Sequence, residues 1–318
     1  MAADTTTPVD LSVMLGRVRL ANPILTASGT SGYGSELSDF VDLSRLGAFT
    51  TKSVTVEPRM GNPPPRVVET AAGMLNAIGL ANVGLERFVA EKVPELAELP
   101  IPVFVNVAGH AIDDYVTVCR RLDPIDAITG LELNVSCPNV SDGMVFGTDA
   151  VALGELVRTV RAEVKQSLLI VKLSPNVTDI TATARSAVEA GADALSMVNT
   201  FLGMAIDIET RRPKLTHNTG GLSGPAIKPM TVHLISKVYR AVARDAGVPI
   251  IGMGGVMCWQ DAVEFILAGA TAVAVGTALF ADPAAPIAII DGLKTYLAQH
   301  GLRSVTDLIG QAQLHGLP

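Results

Sequence analysis

Cysteine is scarce in this chain of 318 residues: Cys119, Cys137 and Cys258 are odd in number and widely spaced. That usage argues against a disulfide framework and against an iron–sulfur cluster held by the chain itself. No apolar run comes near the ~18 residues that mark a membrane-spanning helix, so no membrane association is expected. Basic residues are in deficit, with 24 Lys and Arg against 31 Asp and Glu and a net charge of −7. A nucleic-acid-binding surface is therefore not expected. The five histidines, His110, His217, His233, His300 and His315, show no metal-ligand spacing, and no metal site is expected. A Gly-x-Gly-x-x-Gly turn in a leading βαβ unit is missing too, so the chain offers no evident dinucleotide site of its own. Its start, MAADTTTPVD, has neither the basic nor the apolar region of a signal peptide, which makes a cytoplasmic location the expectation.

What is present is a large apolar core: 48% hydrophobic residues, only 17% charged, and 29 glycines. Short apolar or β-branched runs alternate with helix-period stretches such as Ala150–Lys165 and Lys228–Ala246. After a hairpin at Leu11–Leu20, strands are predicted at Pro23–Ala27, Ala48–Ser53, Val103–Val107, Gly130–Val135, Leu169–Leu173, Ala194–Asn199, Pro249–Gly252 and Ala272–Gly276. Eight strands with crossovers imply a (β/α)8 TIM barrel spanning 1–318 as one domain, with an open doubly wound sheet as the alternative. Long loops follow the second and sixth strands, Val54–Asn82 and Phe201–Pro225, and loops of that length usually form lids or binding walls.

In such barrels chemistry sits at the C-terminal strand ends, and those ends carry a consistent polar set. They are Ser28, Lys52 and Ser53, Asn106, Asn134 with Cys137, Lys172, Asn199 with Thr200, Gly254-Gly255 and Gly276-Thr277. Two lysines ending apolar strands would be costly if buried unpaired, so each should face an anion or an electron-rich ring. The paired glycines after the last two strands suit a phosphate cradle, where backbone N–H groups approach closely. The segment Asn134-Val-Ser-Cys-Pro-Asn139 is the most informative. Pro138 ends the ladder and restricts Cys137 to extended backbone. Amides beside a thiol suit recognition of a flat polar heterocycle. Cys119, inside a helical stretch, reads as packed core, and Cys258 as structural.

These segments resemble the dihydroorotate dehydrogenase family: TKSVT at 51–55, NAIGL at 76–80, NVSCPN at 134–139, VKLSP at 171–175, VNT at 198–200, GGLSGPAIKP at 220–229 and the two terminal glycine motifs. Cysteine at the base position resembles the soluble class 1 enzymes. GGLSGPAIKP and the FGTD loop resemble the NAD-linked B type, whose catalytic subunit works with a second subunit carrying FAD and a [2Fe–2S] cluster. One departure is GTSGYG at 29–34, where an aromatic after the threonine would be expected. The resemblance implies FMN over the barrel mouth, its phosphate at Gly254, Gly255, Gly276 and Thr277. Ser28, Lys52, Ser53, Asn106, Asn134, Lys172, Val198 and Gly224 would complete the flavin site. Substrate would be held by Lys52, Asn76, Ala77, Ile78, Gly79, Leu80, Asn134, Asn139, Asn199 and Thr200.

The implied reaction oxidises (S)-dihydroorotate to orotate in de novo pyrimidine (UMP) biosynthesis. Cys137 would act as general base and Lys172 would stabilise negative charge on the ring. Implied partners are a second copy in a homodimer, or a heterotetramer with an electron-transfer subunit that passes electrons to NAD. The alternatives are a fumarate-linked A-type enzyme and a dihydropyrimidine dehydrogenase-like flavoprotein. Lys52 discriminates against the latter, because a carboxylate substrate profits from a cation and a neutral base does not.

Overall fold

A computed structural model describes residues 9–136 and 146–315. Eight runs of two to five residues form the central sheet: β1 Ile24–Thr26, β2 Phe49–Thr50, β3 Val103–Val107, β4 Gly130–Asn134, β5 Leu168–Lys172, β6 Ala194–Met197, β7 Ile250–Met253 and β8 Ala272–Val275. Every residue in them is buried except Asn134. Near-continuous aliphatic strands are what a parallel sheet under helices requires, since neither face meets water. Neighbours pair in parallel around the ring, β8 beside β1, and the parallel bridge Leu25–Ala48 joins β1 to β2 and closes the barrel. The (β/α)8 expectation is borne out, and the strand positions agree to within a few residues. The largest differences are Ala48–Ser53, of which only Phe49–Thr50 pairs, and Ala194–Asn199, which stops at Met197.

Helices cover the outside. Ala150–Glu163 starts where the Asp149 carboxylate accepts from the N–H groups of Val151 and Ala152 at 2.8 and 3.0 Å, satisfying donors that a helix start leaves orphaned. The stretch expected over Lys228–Ala246 runs as Lys228–Val238, a wide turn at Tyr239–Ala243 and a last turn ending at Gly247. At the opposite end of the barrel, the expected hairpin forms from Val13–Leu15 and Val18–Leu20. Gly16 at its tip packs on Leu168 and Asp193, at the N-terminal ends of β5 and β6, so the hairpin caps the face away from the chemistry.

The two long loops differ from expectation, because both contain strands. Phe201–Gly203, Gly220–Ser223, Gly73–Asn76 and Val67–Thr70 make a four-stranded antiparallel sheet in that order, and Ile206–Asp207 pairs with Arg212–Pro213. These strands are only two to four residues long, and half of one is glycine. They are mostly half-exposed, so hydrophobic alternation does not announce them. Their partnership ties the segment after β2 to the segment after β6 over one sector of the barrel mouth.

Candidate active site

Lys172 ends β5 with its side chain turned into the barrel and only 6% exposed. Its Nζ donates to Ser28 Oγ at 3.1 Å, across the mouth at the end of β1. The salt bridges among the described residues include none to Lys172. An ammonium has three N–H donors and no acceptor, and burying it with one neutral partner costs stability. The arrangement leaves a cation and two donors on offer to a ligand in the mouth.

Below that level runs a fully buried polar chain. Ser53 Oγ donates to Asn106 Oδ1, Asn106 Nδ2 donates to Glu132 Oε1 at 2.6 Å, and Ser196 Oγ donates to Glu132 Oε2 at 2.6 Å. The pairing register explains the meeting: Asn106 lies opposite Glu132, and paired residues of parallel strands share a face. Sequence reasoning placed Ser53 and Asn106 at the site but missed Glu132 and Ser196. The signal was there in part, since Glu132 is the one charged residue in the apolar run leading to Asn134 and shares its inward register.

The expected substrate residues gather on the other side. Asn199 Nδ2 donates to Asn134 Oδ1 at 3.0 Å, and Asn199 Oδ1 accepts from the Thr200 N–H at 2.8 Å. Asn76 Nδ2 reaches the Gly221 carbonyl at 3.3 Å through the added sheet. Tyr115, buried under β4, fixes Asn134 by donating to its carbonyl at 2.9 Å. Between Asn62 and Arg66 the chain grips 76–80 by its other groups: Asn62 donates to the carbonyls of Ala77 and Ile78, and the Ala77 N–H donates to the Arg66 carbonyl. The N–H groups of Ile78, Gly79 and Leu80 have no partner among the described residues. Gly79 and Leu80 have φ of 74° and 55°, and successive free N–H groups in such a turn form an anion-binding concavity. Lys52 stands half-buried after β2. Burial first, and the Arg66 guanidinium second, hold its ammonium below the ordinary lysine range.

The glycine motifs meet where β7, β8 and the end of the added sheet converge. Gly255 has φ 93°, and a Cβ there would lie 2.8 Å from the Gly224 carbonyl oxygen. Gly224 has φ 94°, and its Cβ would sit 2.7 Å from Gly73 Cα and 3.5 Å from Thr277 Cγ2. Thr277 and Ser223 join by their hydroxyls at 2.9 Å, while Gly276 packs on Ala27, next to Ser28. Backbones this close leave no room for side chains, which is the physical content of a phosphate cradle. Gly224→Ala should therefore lower the melting temperature by several degrees, from strain of about 1–3 kcal/mol. It should also weaken retention of a phosphate-bearing ligand; a variant that melts and binds like the parent would remove Gly224 from the cradle.

Val198 follows β6, its N–H donating to the Met253 carbonyl at 3.0 Å at the same rim. Cys137 and Asn139 lie outside the described residues. Cys119 is fully buried, and burial with the Asp123 charge pushes its thiol far above the ordinary range, as suits a core residue. Cys258 is exposed at the start of helix Trp259–Ala268, its Sγ 3.4 Å from Asp261 Oδ2. Among the described residues no cluster of His, Cys, Asp or Glu could hold a metal ion, and no helix is long and apolar enough to cross a membrane.

Known proteins resemble this chain along nearly its whole length. Residues 10–297 match the family model described as dihydroorotate dehydrogenase. A protein of Pelobacter propionicus named dihydroorotate dehydrogenase B (NAD(+)), catalytic subunit, is 53% identical over 302 residues, covering 95% of this chain and 98% of the relative. A protein of the same name from Bacteroides thetaiotaomicron is 50% identical over 306 residues, covering 96% and 99%. Among solved structures, a DHODH from Eimeria tenella in complex with ferulenol superposes with a TM-score of 0.80 at 26% identity, covering 98% of this chain and 91% of that one.

Proposed function

The chain belongs to the dihydroorotate dehydrogenase family, and on that premise we propose that it oxidises (S)-dihydroorotate to orotate as the FMN-bearing catalytic subunit of an NAD-linked enzyme of de novo pyrimidine biosynthesis. The observation that carries this reading is the buried ammonium of Lys172, without a carboxylate partner among the described residues, at the same mouth as the glycine cradle. Both fit FMN. Gly224, Gly254, Gly255, Gly276 and Thr277 would hold the phosphate, while Ser28, Lys52, Ser53, Asn106, Asn134, Lys172 and Val198 would surround the ring. Bound there, FMN would supply the two-electron acceptor. Residues 1–318 would act as one FMN-binding unit.

The chain's own residues account for the rest. The free N–H groups of Ile78, Gly79 and Leu80 and the Lys52 ammonium would hold the substrate carboxylate. Asn76, Ala77, Asn134, Asn139, Asn199 and Thr200 would fix the ring in plane, so that C6 is held in reach for hydride loss. Cys137 would take the C5 proton. With no dinucleotide motif or cluster ligands in this chain, electrons would leave for NAD through a partner carrying FAD and a [2Fe–2S] cluster. Two such catalytic chains would form the centre of a heterotetramer in the cytoplasm.

Stopped-flow mixing tests the substrate assignment. Dihydroorotate should bleach the flavin's visible band without an added acceptor. Lys52→Gln should raise the dihydroorotate concentration needed by ~10- to 100-fold, since a hydrogen bond to a charged group is worth about 1.5–3 kcal/mol. Because the Lys52 charge is lost earlier than an ordinary lysine's as pH rises, substrate affinity should fall on the alkaline side in the parent and not in the variant. Faster bleaching by neutral dihydrouracil than by dihydroorotate would replace this reading with the dihydropyrimidine one.

A further inference from the structure

Glu132 is 2% exposed in the middle of β4 and takes no part in the reaction outlined above. Both its oxygens accept, one from Asn106 and one from Ser196, each at 2.6 Å. The salt bridges among the described residues include none to it. A buried acid without a cation adds little to stability, and an apolar residue of the same volume often serves a fold as well or better. What the acid does supply is direction. The two ends of an asparagine amide are nearly equal in shape and differ only in which one donates. Ser53, on the far side of Asn106, makes no choice between them, because a hydroxyl can donate or accept.

We propose that Glu132 is a positioning residue that fixes the polarity of the chain Ser53–Asn106–Glu132–Ser196, and so the direction of the Ser53 hydroxyl at the mouth end of that chain. With an acceptor at Glu132, the Asn106 NH2 must turn toward it and the amide oxygen toward Ser53, whose hydroxyl must then donate. Asn106 itself is 0% exposed, so the chain meets the mouth at Ser53, whose oxygen, with its hydrogen committed to Asn106, is left as an acceptor. The register extends the effect. Ser196, the second donor to Glu132, is the cross-strand partner of Lys172 on β6 and β5. Glu132 therefore links the Asn106 amide to β6, the strand that pairs with the one carrying the buried ammonium. A glutamine at 132 can accept or donate and leaves the polarity open.

The inference rests on the FMN reading, and the test separates the two. Three quantities are measured for the parent, Glu132→Gln and Ser196→Ala: the FMN dissociation constant of the apoprotein by fluorescence titration, the two-electron midpoint potential, and the apoprotein melting temperature. Glu132→Gln should weaken oxidised FMN about tenfold, the scale of one misdirected buried hydrogen bond. Loss of the negative group in the barrel below the mouth should offset that weakening for reduced FMN, so the potential should rise by about 30 mV, the equivalent of tenfold for a two-electron couple. Ser196→Ala keeps both the acceptor and the negative group at Glu132, so it should weaken FMN by less and leave the potential at the parent's value, and in both variants the melting temperature should stay within a few degrees. Unchanged FMN affinity and potential in Glu132→Gln, with the parent binding FMN normally, would overturn the proposal alone. If the parent itself takes up no FMN, the functional reading fails and takes this inference with it. Should Glu132→Gln not fold, Glu132→Met, which removes both the acceptor and the charge, decides by the same two readouts.

Discussion

Cys137→Ser should lower kcat by about 10²–10⁴-fold, the usual contribution of a positioned general base, while FMN content and orotate binding stay at the parent's level. Oxidation of a saturated C5–C6 bond must dispose of a proton and a hydride. A flavin can take the hydride, but the proton needs a base. The polar groups gathered at the mouth are poor candidates: Asn134, Asn199 and Thr200 are amides and a hydroxyl, and Lys172 acts as a donor to Ser28. Cys137 follows β4 by three residues, just after Ser136, whose Oγ is buried without a partner among the described residues. A free thiol titrates near pH ~8.5 and its thiolate is the reactive form, whereas a serine hydroxyl ionises far less readily. The parent's kcat/KM should therefore rise with pH, and that limb should vanish in the variant. Turnover within threefold of the parent, or a covalent substrate adduct at Cys137, would remove the base assignment.

The barrel was legible because its strands are buried on both faces. Runs such as Val103–Val107 and Leu168–Lys172 are apolar throughout, so their positions follow from composition alone. The ends were legible for the same reason, since Lys172 or Asn134 stands out at the close of an aliphatic run. The sheet formed by Val67–Thr70, Gly73–Asn76, Phe201–Gly203 and Gly220–Ser223 was not. Its strands come from two segments about 125 residues apart, lie half in solvent, and are selected by pairing rather than by local pattern. Glu132 was missed for a different reason. Its role comes from register: only the pairing of β3 with β4 puts Asn106 opposite it, and only barrel closure brings Ser196 across. The N–H groups at Ile78, Gly79 and Leu80, without a partner among the described residues, belong to the same class, because that becomes visible only in the folded chain.

Lys172→Met should separate stability from activity. The ammonium is 6% exposed, has Ser28 as its hydrogen-bond partner and no carboxylate in salt-bridge reach among the described residues. Removing one partner of a buried ion pair leaves an uncompensated charge and destabilises. Here the uncompensated charge is already present in the ligand-free chain, so replacing it with an apolar side chain of similar length relieves a desolvation cost. The apoprotein should melt at the same temperature as the parent or higher. Catalysis should move the opposite way. A fixed cation aimed at developing negative charge, in a site that excludes water, is worth roughly 10²–10³-fold in rate, and that is the expected loss in flavin reduction by dihydroorotate. The flavin midpoint potential should fall as well, because the charge placed on the ring by hydride transfer loses its counter-ion. Lys172→Arg keeps the charge but not the compact geometry, and should restore the potential more than the rate. A Lys172→Met enzyme that reduces its flavin at the parent's rate would show that the ammonium serves packing. One that melts well below the parent would show that the fold depends on it. Either result would undo the argument that an unpaired buried cation is retained here for the charge that arrives during the reaction.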